Sequence, residues 1–491
     1  MRVDLAIVGG GFAGSLLASI ARRIGLSVVL IDRGAHPRMA IGESSTPAGN
    51  MVLAALGQRY ALPELIHLAR YGTWKEHFPE MGVGPKRGFS YFAHQPGSPW
   101  SPGTKHANEL LVAASRDALN CDTHWFRSDV DAFLFELAGA QGALLMPRTV
   151  VIQVERVGGC WQLGVEGAES LGGPGFGNAA VSTPPFGARA AATRIEARLL
   201  VDATGSGDFA TRHLDVTAGP PMRTRTSAAF AHFEDLPTWQ ASVGSPDDDY
   251  PIPADQAAQH HVTPDGWMWQ LRFDSGRTSV GIVGPRIGEF APADWLRRYP
   301  TLERQFADAK RVWPSRGWSG SGPLQRRVDR AGGAGWILLP AAAGFVDPLH
   351  STGIAHSLTA IERLARLLEA GVEDFSDAGA ATLRELDHID AMVAPCYAAK
   401  DFEAFIVASM VYFAASIHVE RLRMSEVASR MPDFLGADVP ALRQLAIRAG
   451  DEVNGPGFRE WMARAIEPWN TAGLLDPEVP NMYPHTAPPG W

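Results

Sequence analysis

The sequence has few cysteines, no dense run of basic residues and no long uninterrupted apolar segment. Only three of its 491 residues are cysteine (Cys121, Cys160 and Cys396), and none has CxxC spacing. Neither a disulfide framework nor a zinc site is therefore indicated. The formal net charge is −9, and without clustered cations we expect no nucleic-acid partner and no anionic membrane surface. These absences favour small-molecule chemistry in a reducing cytoplasm.

Two segments resemble targeting or membrane sequences only superficially. Near the N-terminus, Asp4 interrupts the apolar run and three glycines stand where a signal peptide needs continuous apolar residues. The apolar segment 402–417 carries Glu403 and is shorter than the roughly 20 apolar residues that span a bilayer. The sequence therefore predicts no targeting segment and no transmembrane segment, and 402–417 is interpreted as a buried helix.

The remaining composition is that of a globular protein with regular secondary structure. Apolar residues make up 46% and charged residues 20% of the chain, which permits a sizeable core. A strand pattern at 3–8, a helix pattern at 13–24 and a strand pattern at 27–31 form a βαβ unit. Further along, the patterns predict a helix at 129–142, strands near 149–155 and 160–165, a Gly/Ala/Pro-rich loop insertion at 167–192, a strand in 193–205, mixed strands and loops over 225–335, helices from 354 to 467, and an irregular tail.

A glycine-rich turn connects the first strand to the first helix. Residues Gly9-Gly10-Gly11-Phe12-Ala13-Gly14 fit GxGxxG, and backbone N–H groups at such a helix start can hold a pyrophosphate. Asp32 ends the second strand, where a carboxylate can accept hydrogen bonds from a ribose diol. The unit predicts nucleotide binding through Gly9, Gly11, Phe12, Ala13, Gly14 and Asp32. The alternative is a turn that only packs a helix on a strand, and the motif does not distinguish NAD from FAD.

Two later segments favour FAD. The strand "LLVDATGSG" (199–207) resembles the second FAD fingerprint of the glutathione-reductase-like flavoprotein monooxygenases, which implies contacts from Asp202 and Gly205. The segment 336–354 stands where that superfamily covers the flavin. The resemblance implies an α/β fold of the glutathione-reductase-like FAD-binding type, with a Rossmann βαβ unit and parallel sheet, a mixed β substrate region and a helical C-terminal region.

In the third segment the resemblance assigns Asp347, Gly353 and Ile354 to the cofactor. Its sequence "FVDPLHSTGI" (345–354) runs from a turn into a helix pattern. Ala341 stands where the usual ribityl-binding Asp would be, so backbone groups are expected to replace that contact.

Three motifs together resemble the flavin-dependent halogenases, the tryptophan and phenol halogenase family within the FAD-dependent monooxygenase superfamily. These are "HPRMAIGESSTP" (36–47), "GWMWQLRF" (266–273) and "FVDPLHSTGI". In that family reduced flavin and oxygen form a hydroperoxide, a halide attacks its distal oxygen, and hypohalous acid travels to a lysine beside the substrate. The resemblance implies FAD supplied as FADH2 by a separate NAD(P)H-dependent flavin reductase, together with O2 and chloride or bromide.

The resemblance requires a catalytic lysine. Lys86 lies in "PKRGFSYF", which is similar to the Lys-x-Gly-Phe-Ser-Phe run of the phenol-acting members, and we assign it the catalytic role. A protonated ammonium could hydrogen-bond hypohalous acid, and a neutral amine could form a haloamine. Lys75 is the fallback, and for either residue a solvated surface lysine is the structural alternative.

The Ser-Thr-Gly segment predicts an anion site, because N–H groups near a helix start can bind a halide. We assign this site to Ser351, Thr352 and Gly353. His350 stands where tryptophan-acting members carry a Glu, and an imidazole with a pKa near 6.5 could accept the proton that the arene loses. A histidine that merely packs under the helix is the alternative.

Trp267 and Trp269 match the Trp-x-Trp of the halogenases. Residues two apart in a strand point to one face, so they either fill a core or crowd the passage beside the flavin. Their customary following Ile-Pro is replaced by Leu271-Arg272. The pair His260-His261 has no further ligand at metal spacing and is interpreted as a loop feature, so no metal site is predicted.

Further flavin contacts are expected from the loop after the second strand and from a helix start. Arg38, Gly42 and Glu43 follow the ribose acid directly. Arg127 precedes a helix pattern, and the resemblance would bring it near the flavin, although a surface arginine is an equal alternative.

The domain prediction divides the chain at residue 360. Residues 1–360 would form the FAD-binding domain with an interleaved substrate region at about 65–130 and 210–335. Residues 361–491 would form a helical region over the substrate pocket.

The leading hypothesis is an FADH2-dependent halogenase of a phenolic or indolic aromatic. Its rivals are an aromatic hydroxylase that reduces its own flavin with NAD(P)H and a flavin-dependent prenyl-chain reductase, and a non-catalytic flavin-binding protein is the weakest reading. Whether the aromatic is free or tethered to a carrier protein stays open, as does a homodimeric assembly.

Overall fold

In the computed structural model the described residues form two large β-sheets, two small two-stranded sheets and a set of helices. The structure describes residues 1–167, 193–244, 250–289, 291–425, 431–479 and 481–488. The predicted loop insertion at 167–192 lies, apart from its first residue, outside the described residues.

Fifteen α-helices lie in the described residues. They are α1 (Phe12–Ile24), α2 (Pro47–Arg59), α3 (Pro63–His67), α4 (Tyr71–His77), α5 (Arg127–Ala140), α6 (Asp208–His213), α7 (Trp239–Val243), α8 (Pro292–Arg297), α9 (Pro300–Phe306), α10 (Pro340–Ala343), α11 (Thr352–Glu369), α12 (Ser376–Ala398), α13 (Phe402–Met424), α14 (Pro440–Glu452) and α15 (Phe458–Ile466).

The strands are short and mostly buried. They are β1 (Arg2–Val8), β2 (Val28–Ile31), β3 (Val83–Lys86), β4 (Gly88–Ala93), β5 (Glu109–Ala113), β6 (Asp122–Trp125), β7 (Leu144–Met146), β8 (Thr149–Val157), β9 (Cys160–Gly167), β10 (Thr193–Asp202), β11 (Ser227–Glu234), β12 (Ala258–Thr263), β13 (Gly266–Arg272), β14 (Thr278–Gly284), β15 (Lys310–Trp313), β16 (Ser319–Ser321), β17 (Arg326–Arg327), β18 (Gly332–Gly333), β19 (Trp336–Leu338), β20 (Gly344–Phe345) and β21 (Met482–Tyr483).

The first sheet contains the predicted βαβ unit. Its strands β7, β2, β1, β10 and β19 lie side by side and parallel, while β18 pairs antiparallel with β19 and the β8–β9 hairpin joins β10. Continuous apolar strands such as β2 are buried throughout, as parallel sheets require. The predicted α/β class with a Rossmann-type parallel sheet is confirmed.

The second sheet has nine strands in the order β15, β11, β14, β13, β12, β4, β5 and β21, with β16 also paired to β11. The two small sheets pair β3 with β6 and β17 with β20. The strand candidates in 225–335 are confirmed as β11, β13 and β14. The loop interpretation of His260-His261 is wrong, because both residues lie in β12 between β4 and β13 and are buried. The tail is not wholly irregular either, since β21 pairs with β5.

Helices α11 to α15 confirm the predicted helical C-terminal region. Helix α13 is long and apolar enough to cross a membrane, but 83% of its most apolar window is buried inside the protein. It is therefore a core helix, as its sequence predicted. The domain boundary at residue 360 stays a prediction, and α11 runs through that position.

Candidate active site

Residues from both sheets line one cavity of about 760 Å³. Most of the predicted site residues lie on its wall: Gly9, Gly11, Phe12, Ala13, Asp32, Arg38, Gly42, Glu43, Arg127, Gly205, Trp267, Trp269, Asp347, Ser351, Thr352, Gly353 and Ile354. Gly14, Asp202, Lys86 and His350 are not among the lining residues. Most of the predicted residues therefore lie together at one cavity, and the other four lie outside its lining.

The glycine-rich turn brings β1, α1 and β10 into close contact. Gly9 has φ +112°, which favours glycine, and a Cβ there would lie 2.4 Å from the carbonyl carbon of Ala203. A Cβ on Gly14 would lie 2.0 Å from the Gly9 carbonyl oxygen. Gly14 thus packs the helix against the turn, whereas Gly11 faces the cavity.

Asp32 lies at the end of β2 with its carboxylate on the cavity wall. It accepts hydrogen bonds from the backbone N–H of Gly10 and of Gly34, both at 2.7 Å. Arg38 pairs with it at 3.0 Å. This fixed carboxylate at the mouth of the glycine-rich turn fits a ribose diol.

Asp202 holds the loop that follows β10 through hydrogen bonds. Its Oδ1 accepts hydrogen bonds from the backbone N–H and the hydroxyl of Thr204, at 2.9 and 2.7 Å. Burial raises the pKa of Asp202 to about 6. Asp202 therefore shapes the loop that presents Gly205 to the cavity.

Arg326 is a cavity residue that sequence reasoning missed. Its guanidinium donates to the carbonyl oxygens of Gly205 (2.6 Å), Ala342 (3.2 Å) and Ala341. These bonds tie the second fingerprint loop to α10, where Ala341 presents a methyl group in place of the usual carboxylate. No local pattern distinguishes this arginine from the many others in the chain.

Arg127 anchors the loop after β2 to the start of α5. It forms an ion pair with Asp131 at 2.7 Å and donates to the Gly42 carbonyl oxygen at 3.0 Å. The adjacent Glu43 carboxylate lies 3.1 Å from Nε2 of His232, and both side chains are buried. Arg127 is therefore a buried residue of the cavity wall and not a surface arginine.

The turn before α11 is held by a chain of hydrogen bonds. Asp347 accepts hydrogen bonds from the hydroxyls of Thr226 (2.8 Å) and Tyr397 (2.9 Å), and Tyr397 accepts one from Trp267 Nε1 (2.7 Å). Burial raises the pKa of Asp347 to about 7. Thr226 and Tyr397 carry no sequence signal, since nothing local links them to this turn.

Helix α11 begins at the cavity wall. Ser351 is its N-cap residue with φ +53°, and Thr352 and Gly353 form the first turn of the 18-residue helix. Because the first N–H groups of a helix lack intrahelical partners, this end of the cavity suits a small anion.

The tryptophan pair forms one side of the cavity. The ring centroids of Trp267 and Trp269 lie 6.1 Å apart. The Trp269 ring lies so close to β14 that a Cβ on Gly281 would come within 2.1 Å of it. These rings are fixed by packing, which makes them a rigid wall.

A row of rings leads from this wall to Lys86. Centroid distances are 5.0 Å from Trp267 to His260, 4.5 Å from His260 to Tyr91 and 6.4 Å from Tyr91 to Phe89. Lys86 Nζ lies 4.0 Å from the Phe89 centroid. Burial lowers the pKa of His260 to about 3, so this imidazole is neutral and belongs to the row.

Lys86 is fully buried, and Lys75 is not. Lys86 Nζ donates to the Ser45 carbonyl oxygen at 2.5 Å. Burial lowers the pKa of Lys86 to about 7, although the charges of Asp122 and Glu420 act in the opposite direction. Lys75 forms a partly exposed ion pair with Asp274 at 3.0 Å. A desolvated amine with a pKa near neutrality is typical of functional lysines.

His350 lies behind the cavity wall in an aromatic setting. Its ring stacks on Tyr412 at 4.4 Å, and its nitrogens lie 3.4 Å from the Tyr91 hydroxyl and 3.9 Å from Cys396 Sγ. Burial lowers the pKa of His350 to about 3. The expectation of an imidazole with a pKa near 6.5 is therefore wrong, because burial removes the solvent that would stabilise its charged form.

Comparison with known proteins agrees with this geometry. The chain is 28% identical over 404 residues to tetracycline 7-halogenase of Kitasatospora aureofaciens, covering 78% of this chain and 67% of that one. It is 27% identical over 425 residues to monodechloroaminopyrrolnitrin halogenase PrnC of Pseudomonas fluorescens, covering 81% and 68%. The crystal structure of halogenase PltM with phloroglucinol and FAD superposes with a TM-score of 0.81 at 22% identity, over 98% of this chain and 99% of that one. The resemblance to flavin-dependent halogenases is confirmed.

The cavity fits FAD. The glycine-rich turn and the first turn of α1 would offer N–H groups to a pyrophosphate, and Asp32 would accept hydrogen bonds from a ribose. The small residues of the turn before α11 would let a flavin ring approach the backbone. FAD is the cofactor of this protein, which is an oxidoreductase. A family model described as FAD dependent oxidoreductase matches residues 4–346, and the chain belongs to that family.

Proposed function

We propose that this protein is an FADH2-dependent halogenase that chlorinates or brominates an electron-rich aromatic, phenolic or indolic. A separate NAD(P)H-dependent flavin reductase would supply the reduced cofactor. The observation that carries the proposal is a buried amine, Lys86, at the far end of a row of rings that starts at the cavity wall. O2, activated by bound FADH2, would supply the oxidising equivalents that convert the halide into hypohalous acid.

Halide binding and reaction of the arene would take place at two separate positions. The N–H groups of Thr352 and Gly353 would hold the halide at the cavity, and the wall of Trp267 and Trp269 would disfavour an arene there. The arene would instead react beside Lys86. Its ammonium form can hydrogen-bond hypohalous acid and raise its electrophilicity, and its amine form could make a haloamine. Both forms exist near neutral pH because burial lowers the pKa of Lys86 to about 7.

The proposed substrate class follows from the surroundings of Lys86. Tyr91, Tyr412 and Phe413 pack against Phe89, the ring of the row next to Lys86, so an aromatic guest would exchange ring contacts with them. Free and carrier-tethered aromatics both fit this description, and the substrate panel should contain both.

The test supplies the purified protein with FAD, NADH, a flavin reductase, O2 and bromide, together with phenols and indoles. The wild type should give products whose mass increases by one halogen. Lys86→Met should lower product formation at least about 100-fold, the usual range for losing an acid–base group, while flavin binding and flavin oxidation continue. Lys75→Ala is the matched control and should behave as the wild type.

Other products would identify the rival functions. Oxygen insertion without halogen, independent of halide, would make the protein a hydroxylase. Hydrogen addition to a prenyl chain would make it a reductase. Halogenation that survives in Lys86→Met would remove Lys86 from the mechanism.

A further inference from the structure

Helix α13 brings a buried carboxylate, Glu420, toward Lys86. Glu420 Oε1 accepts a hydrogen bond from the Ser416 hydroxyl at 2.8 Å, and the carboxylate also accepts one from the backbone N–H of Ala48. Lys86 Nζ donates to the Ser45 carbonyl oxygen at 2.5 Å. Ser45 and Ala48 belong to the same turn, at the start of α2. The amine from β3 and the carboxylate from α13 therefore converge on one turn, and both are buried.

The charges of the two side chains act on each other. Glu420 raises the pKa of Lys86 and Lys86 lowers the pKa of Glu420, but burial dominates both and brings each pKa to about 7. Other ionisable groups among the described residues also act on the pair. Asp122, opposite Lys86 across the β3–β6 ladder, raises the pKa of Lys86 more than Glu420 does. The rest are His124, His260, Tyr412 and Arg421.

Glu420 also connects to the aromatic row. Tyr412 is hydrogen-bonded to Ser416, and Ser416 donates to Glu420. These residues are spaced four apart, so they lie on one face of α13. Tyr412 stacks on His350 at 4.4 Å, which joins the turn before α11 to the carboxylate through one helix face.

We propose that Glu420 is the proton partner of Lys86, a positioning residue whose negative charge favours the ammonium form and which restores its proton after each turnover. This inference rests on the proposed halogenase function. The sequence predicted that His350 accepts the proton lost by the arene. The inference gives this role to Glu420 on α13, because the His350 imidazole is neutral in the structure.

The Lys86–Glu420 pair gives one proton and takes one back in each turnover. The ring carbon forms a bond to the halogen while the O–X bond of hypohalous acid breaks, and that electron pair stays on oxygen. The arene is oxidised and the halogen is reduced. The Lys86 ammonium gives its proton to the departing oxygen, which leaves as water. The proton lost by the ring carbon returns to the Lys86–Glu420 pair, so the net reaction is ArH + HOX → ArX + H2O and the ammonium is restored.

The central test compares Glu420→Gln with the wild type in the complete halogenation assay. The variant should make the halogenated aromatic at least about 100-fold more slowly, yet release hypohalous acid at the wild-type rate to a soluble β-diketone trap. The acid limb of its pH–rate profile should disappear, and Glu420→Asp should restore part of the rate. Glu362→Gln is the matched control, because Glu362 is a buried carboxylate on α11 that pairs with Arg423 at 2.9 Å, and it should keep the wild-type rate and profile.

Two results would overturn the proposal. One is a wild-type rate and pH profile in Glu420→Gln. The other is an equal loss of trapped hypohalous acid and halogenated product, which would make Glu420 purely structural. If Glu420→Gln does not fold, Ser416→Ala decides, because losing a hydrogen bond that lowers the pKa of Glu420 should move the acid limb to higher pH, and an unmoved limb would reject the role.

A stability measurement tests the pair without any turnover. Since the folded-state pKa of Glu420 is raised from 4.5 to about 7, its stabilising contribution is full below pH 4.5 and is lost as the pH rises through 7. The melting temperature of Glu420→Gln, relative to the wild type, should therefore rise between pH 5 and 8. A constant difference would show that the carboxylate is not desolvated as required. A wild type that halogenates nothing would reject the proposed function alone, because this pH dependence would still be observed.

Discussion

Burial sets the charge states of the ionisable side chains around the row of rings. It brings the pKa values of Lys86, Asp347 and Glu420 to about 7 and lowers those of His260 and His350 to about 3. Groups whose pKa lies near the working pH are the effective proton carriers. In this site the groups with such pKa values are an amine and two carboxyls, whereas the two histidines are neutral rings.

This assignment predicts that His350 is replaceable by phenylalanine. His350→Phe should keep the stacking on Tyr412 and lose only the contacts with Tyr91 and Cys396. We expect a halogenation rate within about threefold of the wild type, which corresponds to about 0.7 kcal/mol, and an unchanged pH–rate profile between pH 5.5 and 8.5. A missing acid limb in this variant would instead identify the imidazole as the base.

At the scale of elements, the site is assembled from opposite ends of the chain. The turn after β1 and the start of α11 form the cofactor side, whereas α12 contributes Tyr397 and α13 contributes Tyr412 and Glu420. Helix–helix and helix–turn packing, not sequence proximity, brings these residues together. Under the proposed function, the C-terminal helices would take part in the chemistry as well as in the core.

Because β1 and α1 are in close contact at Gly14, we expect one added methyl group there to weaken FAD binding strongly. Gly14→Ala would put a Cβ 2.0 Å from the Gly9 carbonyl oxygen, so the turn must open and its N–H groups lose their alignment. FAD titration should show binding weakened at least about 100-fold, or about 2.8 kcal/mol.

Gly450→Ala provides the control for this change. Gly450 lies inside α14, and the nearest atom to a Cβ there is 3.8 Å away. Alanine should therefore be accommodated, raise the free energy of unfolding by about 0.5–1 kcal/mol and leave FAD affinity unchanged. Similar FAD affinity in both variants would contradict the packing role of Gly14.

For the molecule as a whole, the sequence predicted the elements whose formation depends on residues close together in the chain. The βαβ unit followed from periodicity and the GxGxxG spacing, and the buried helix α13 followed from its apolar run. His260 was misread because its burial comes from pairing with β4 and β13, which the sequence does not show. Glu420 looks like an ordinary helix-surface charge in the sequence, and only the packing of α13 against α2 makes it a buried carboxylate.

The tail was misread for the same reason, and its contribution to stability can be measured. Tyr483 in β21 is buried beside β5, and its hydroxyl accepts a hydrogen bond from the Leu475 N–H at 3.1 Å. Tyr483→Ala should lower the free energy of unfolding in urea by about 3–5 kcal/mol, the range for truncating a large buried aromatic.

Tyr483→Phe removes only the hydroxyl and should cost about 1 kcal/mol. Because β5 lies next to β4, which carries Phe89 and Tyr91, the alanine variant should also lose activity at a lower urea concentration than the wild type, while its FAD affinity before unfolding stays unchanged. An unfolding midpoint equal to that of the wild type would mean that the sheet is complete at β5 and that the tail contributes nothing to holding the row of rings.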